Sequence, residues 1–163
     1  MLRTMKVLLI LSIAGWALLG AVENVVDWSG TTGAVGAVTS MATFEGGGDS
    51  WKATSNPVWI MAGSIFILVL KIIAGLLCLA GAAAMWSARA SDAAAFQKSK
   101  SLALAGCGAA MFMLFAGWIV IAEVWYETWR SDVFRDLALN SAFRYCGMIG
   151  VMALFVGMRD EEA

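Results

Sequence analysis

The fold is decided by residues 58–86, VWIMAGSIFILVLKIIAGLLCLAGAAAMW, a run in which Lys71 is the only charge. About 20 apolar residues cross a hydrocarbon core roughly 30 Å thick. As a helix this run is about 43 Å long, so it must tilt or protrude. Working outward, three further apolar runs cover about residues 7–26, 101–126 and 137–158. They carry Glu23, Glu123, and Asn140 with Arg144, respectively. The expectation is an all-α integral membrane protein: a four-transmembrane-helix bundle in one membrane domain, residues 1–163. The long outer loop, about 27–57, and the second outer loop are expected to hold short amphipathic surface helices.

Composition agrees. The chain is 61% hydrophobic and only 14% charged, whereas a soluble domain is roughly half apolar and a quarter charged. A net charge of -1 with scattered cations leaves no footprint for nucleic acid. There is no histidine, which removes most haem, copper and catalytic-zinc sites and the usual histidine-activated nucleophiles. No cofactor and no metal site is expected. Cys78, Cys107 and Cys146 fall in three different runs without a C-x-x-C spacing, so they read as small packing residues.

Arg3 and Lys6 before the first run also fit a signal peptide. The run lacks a good small-residue cleavage site, since Leu19-Gly20-Ala21 has a bulky residue at the -3 position. An uncleaved anchor is expected. Arg3, Lys6, Arg89, Lys98, Lys100 and Arg159 then lie on one side, against Lys52, Arg130 and Arg135 on the other. By the positive-inside rule both termini are expected to be cytoplasmic.

Asn56-Pro57 reads as the start of the second span, with asparagine capping and proline at the first helical position. Ala34, Val38, Met41 and Ala42 recur at helical spacing in the first loop, before Gly46-Gly47-Gly48 breaks the pattern. Trp125, Trp129, Val133 and Leu137 form a second stripe. Trp28, Met41, Trp51, Trp125 and Trp129 therefore form the expected outer-loop interaction surface. Small residues at fourfold spacing, Ala74/Cys78/Ala82, Gly106/Ala110 and Ala153/Gly157, mark faces where helices approach closely.

Ionisable groups at membrane depth are expensive and are functional candidates by default. Lys71 shares a face with Ser64, Gly75, Cys78 and Ala82, so it is expected to point into the bundle. Arg144 shares one with Asn140, Ser141 and Gly147. An intramembrane polar network of Lys71, Arg144, Glu123, Glu23 and Asn140 follows, with Arg144 pairing to Glu123 or Glu23.

Several ordered pieces carry a family resemblance. They are Asn24-x-x-Asp27, Val35-x-x-Val38-x-Ser40-Met41-x-Thr43, Trp51-Lys52-Ala53 before Pro57, Leu77-Cys78 with Gly81-Ala82, and Glu123-x-Trp125 followed by Trp129. With these the chain resembles the uncharacterised bacterial four-helix proteins known as predicted small integral membrane proteins. The resemblance implies the span count and brings no activity with it. The functional expectation is a non-catalytic accessory or structural subunit of a larger membrane complex. Its partners are the lipid bilayer and other membrane protein subunits, and the sequence also allows a homo-oligomer. The alternative is a small transporter or channel using Lys71, Glu123 and Arg144.

Overall fold

The computed structural model describes residues 1–160, apart from the side chain of Leu137, the last member of the second expected stripe. The three C-terminal residues of the expected 1–163 domain lie outside it. Helix α1 runs Leu2–Val26. Asp27 then caps α2, Trp28–Thr39, by accepting a hydrogen bond from Gly30 N at 2.9 Å. Asn24 Nδ2 donates to Thr31 Oγ1 at 2.8 Å. The Asn24-x-x-Asp27 spacing is thus the turn between two helices, with each polar side chain satisfying part of it.

Helix α2 starts and stops earlier than its expected stripe. It ends at Thr39, and Met41 takes a left-handed conformation, φ 52°. Met41 N–H closes the end by donating to Val38 O at 3.2 Å. A left-handed residue just past a helix is usually glycine. Here the methionine is 1% exposed, so burial holds the backbone in place. Met41 is therefore a core residue, and the expected interaction surface loses it.

Helix α3, Pro57–Ser87, begins as its sequence requires: Asn56 Oδ1 accepts from Val58 N at 2.9 Å. Helix α4, Ala93–Ser99, is capped by Asp92, which accepts from Ala95 N. Helix α5, Ser101–Phe112, continues as π-helical backbone over Met113–Trp125, where Tyr126 N–H reaches Ile121 O at 3.0 Å. A short 3₁₀ turn, Thr128–Arg130, and α6, Asp132–Phe134, follow. A π segment, Arg135–Leu139, then leads into α7, Asn140–Gly157. The second stripe is thus broken into short turns instead of one helix. The described residues contain no strand. Three helical stretches are long and apolar enough to cross a membrane: Leu2–Val26, Pro57–Ser87 and Ala93–Trp125. The run expected as a fourth span, containing α7, is not among them.

The chain divides into two compact units. The first comprises Met1–Ala21, Leu70–Met111 and the described part of Gly147–Ala163. Its helices meet on small residues: Ala74, Cys78 and Ala82 are at most 1% exposed. A Cβ on Gly106 would lie 2.6 Å from Cys78 Sγ and 2.9 Å from Ala74 O, and one on Gly81 would overlap the Ala103 backbone. The α3 and α5 backbones therefore touch, the close approach that packing in lipid relies on. Gly75 seats Leu18 of α1 in the same way. Cys78 and Cys107 are free and buried within this face, as packing residues.

One end of this unit is held by charge. Lys6 and Lys100, each 1% exposed, both pair with Asp160. Lys6 Nζ also donates to Met158 O at 2.9 Å. Lys100 Nζ donates to the same carbonyl and to Gln97 Oε1, each at 2.8 Å. The shared carbonyl lies just past the C-terminus of α7, where the helix dipole favours cations. Arg3 stacks 4.9 Å over Phe96 and donates to Ser91 O at 2.6 Å. Burial pushes the Asp160 carboxyl up, but hydrogen bonds from Lys100 and Lys6 outweigh it and hold the group below its ordinary range. In sequence these lysines read as loop charges; the fold makes them its most buried cations.

Removing the carboxylate would strand two buried ammonium groups. Asp160→Asn is expected to cost about 3 kcal/mol of stability. Asp136→Asn, whose side chain is 67% exposed, should change nothing measurable. Thermal unfolding of both variants in detergent checks this.

Candidate functional site

The second unit, Val22–Val69 with Phe112–Cys146, is built differently. Helix α2 lies against α3 where Gly36 faces Ile60 and Gly63 faces Val35; a Cβ on Gly63 would stand 2.9 Å from Val35 Cγ1. Phe66 of α3 meets Phe112 edge-on at 6.1 Å, and Gly117 of the π segment faces Phe66. Beside these close contacts the space between the elements is not filled. A cavity of about 870 Å³ results.

Six of its 18 lining residues are aromatic, against 11% of the chain, and four of the eight tryptophans are among them. Its walls come from α2, from residues 51–54, from α3 and from the π segment. Regular helices seldom run long in the π form, and π turns recur at functional sites. Cavities of roughly 300–1,000 Å³ with apolar, aromatic walls and few polar groups are the common form of small-molecule sites.

The charged residue on the wall is Lys52. Its ammonium pairs with Glu127, whose other oxygen accepts from Arg130 at 3.2 Å. Arg130 also donates to Glu45 O at 3.3 Å and stacks over Phe44 at 4.7 Å. Glu127 sits at φ 53°, the second non-glycine residue with left-handed backbone among those described. Such conformations cost on the order of 1–3 kcal/mol and persist where their surroundings over-determine them. Here the two ion pairs fix the side chain. Trp51, 83% exposed, packs edge-on against Trp125 at 5.7 Å, and the Lys52 ammonium lies 5.8 Å from the same Trp125 ring. Hydrogen bonds from Lys52 and Arg130 hold the Glu127 carboxyl below its ordinary range.

The outer-loop residues expected from sequence divide accordingly. Trp51 and Trp125 meet at this cavity. Trp28 is half-buried, Trp129 is 54% exposed, and Met41 is core. The intramembrane residues are not gathered into one network. Lys71 of α3 is half-buried and donates to Gly20 O at 3.3 Å, against the buried face of Ser64, Gly75, Cys78 and Ala82. Arg144 is exposed, and so are Asn140 and Gly147, so that face of α7 points outward and not between helices. Arg144 donates within its own helix, to Asn140 O at 3.2 Å and Ser141 Oγ at 3.1 Å. Among the described residues no ion pair joins it to Glu123, which is half-buried, or Glu23, which is exposed. The pairing expected from sequence is therefore corrected. Sequence reading missed Glu127 and Asp160, both of which look like solvated loop or tail acids.

An all-helical chain with three membrane-length apolar stretches and an aromatic cavity is, as a class, a small multi-span membrane protein. The chain belongs to the family of predicted small integral membrane proteins (DUF2165), whose model matches residues 2–159. No curated protein and no solved structure matches it.

The cavity wall should be sensitive to acid. A depressed carboxyl contributes stability above the ordinary glutamate pKa of about 4.3, and loses it as pH falls through the lower folded value. Trp51/Trp125 fluorescence is expected to stay constant down to about pH 4.3 and to shift below it. Glu127→Gln should remove that transition and show the acid spectrum already at neutral pH.

Proposed function

We propose that the protein is a non-catalytic accessory subunit of a larger assembly in a bacterial inner membrane, forming one membrane domain with four spans and both termini cytoplasmic. The fourth span is the run at about 137–158, which holds α7. Within it the end of the π segment passes into α7 without a break, giving about 32 Å of helix. The observation that carries the subunit reading is Arg144. It lies about 10 Å in from the start of that run, exposed, among the exposed apolar residues Phe143, Met148 and Val151. A guanidinium facing lipid at such a position is costly. A carboxylate on a neighbouring transmembrane helix would convert that cost into a pair. Asn140, one turn away and also exposed, adds a second polar contact on the same face. The absence of histidine and of any histidine-activated nucleophile supports a non-catalytic role.

Topology has a direct check. Cysteines placed at Asp49 and at Lys98, both exposed, should react with a membrane-impermeant label from opposite faces, position 98 from the cytoplasm. Labelling of both from one face would break the four-span reading.

The subunit role is read from what co-purifies after gentle nanodisc extraction. A stoichiometric partner should be retained by the native chain and by Arg135→Ala. Arg144→Ala should reduce its recovery by about tenfold or more, as expected for a broken buried pair. Ion flux through the lone protein, abolished by Lys71→Met, Glu123→Gln or Arg144→Ala, would instead establish the channel or transporter alternative.

A further inference from the structure

We propose that the aromatic cavity is a lipid site that takes one acyl chain of an anionic phospholipid, with the head group held at Lys52 and Arg130. The cavity is polar at one end and apolar at the other. Along α3 its wall runs from Trp59 to Ile67, about 12 Å of helix. The π segment lines it from Trp125 back to Gly117. Two pairings fix which ends correspond. Trp125 meets Trp51 at 5.7 Å, next to Lys52, and Gly117 faces Phe66. Charge and exposed indole therefore sit at one end, with Phe66, Ile67 and the bare Gly117 at the other. That is the polarity of an amphiphile, and its volume falls within the range that encloses a ligand.

The head-group charge follows from counting. Lys52 and Arg130 share one carboxylate, Glu127, so among the ion-paired groups cations outnumber carboxylates by one, and Glu45 meets Arg130 only through its backbone carbonyl. Arg130 is 42% exposed at its side chain, and its second guanidinium nitrogen is met by a backbone carbonyl, Glu45 O, not by an acid. Phosphate oxygens suit this arrangement, because charge-assisted bonds to an anion are stronger than bonds to a neutral head. The zwitterionic lipid supplies the same chain with no net charge, so the cluster's preference lies with the anionic one. Tryptophan and tyrosine rings at the charged end are the side chains that favour the head-group level of a bilayer.

The four cavity tryptophans make the site readable. The full-length protein is placed in phosphatidylcholine nanodiscs doped with phosphatidylglycerol brominated on its acyl chains. Bromine quenches tryptophan on contact. Phosphatidylglycerol should quench a fraction of the emission saturably, at a mole fraction well below that needed by brominated phosphatidylcholine. Lys52→Gln should lower this preference by about tenfold, and Lys52→Arg should restore it. Ala62→Phe, which fills the cavity from α3, should abolish the saturable component for both lipids. If that variant fails to fold, Gly117→Leu fills it from the facing wall. Quenching that rises in proportion to bulk mole fraction, alike for both lipids, would overturn the proposal. So would a saturable component that survives in a folded cavity-filled variant.

Discussion

Everything in the first unit depends on how closely two backbones can approach. Lipid tails are as apolar as leucine, so helices gain little by hiding apolar side chains from them, and cohesion must come from short-range packing. At Gly81 and Gly106 the α3 and α5 backbones are in direct contact, with no room for a Cβ on either. Ala74, Cys78 and Ala82 keep the facing surface flat enough for this to continue along the helices. The same surface sets what α3 turns outward: Leu76 and Leu79 are 55% and 45% exposed, the pattern of a helix solvated by lipid.

Close packing leaves few places for charge, and the two units treat charge in opposite ways. In the first, Lys6 and Lys100 are sealed, with every ammonium hydrogen directed at Asp160, Met158 O or Gln97. Such a cluster is costly to break and has nothing left to offer a ligand. In the second, Lys52, Glu127 and Arg130 are partly exposed, and Lys52 lines unfilled space. Full satisfaction marks the first as structural.

Much of this was legible in the sequence. The long apolar runs, the Asn56-Pro57 start and the small-residue face of α3 follow from composition and spacing. Three things were not. A helical wheel groups Arg144 with Asn140 and Gly147, but in a membrane a polar stripe does not say which way is in, because the opposite face is apolar as well. The π backbone of Met113–Trp125 leaves no trace, since in a run where nearly every residue is apolar no period can be read. Asp160 meets Lys100 from 60 positions away and Glu127 meets Lys52 from 75, and neither spacing nor propensity encodes such a meeting.

The left-handed residues link these observations. Met41 and Glu127 lie in the two irregular stretches of the second unit, where the chain ends one helix and finds its way to the next. Neither position holds the glycine that would adopt this backbone freely. One is held by burial of its side chain and the other by two ion pairs. Had glycine stood at 127, the turn would form at lower cost, but Lys52 and Arg130 would lose the carboxylate that joins the segment at 51–54 to the end of the π helix. The sequence accepts local strain at Glu127 and obtains from it a carboxylate that ties Lys52, on the cavity wall, to Arg130.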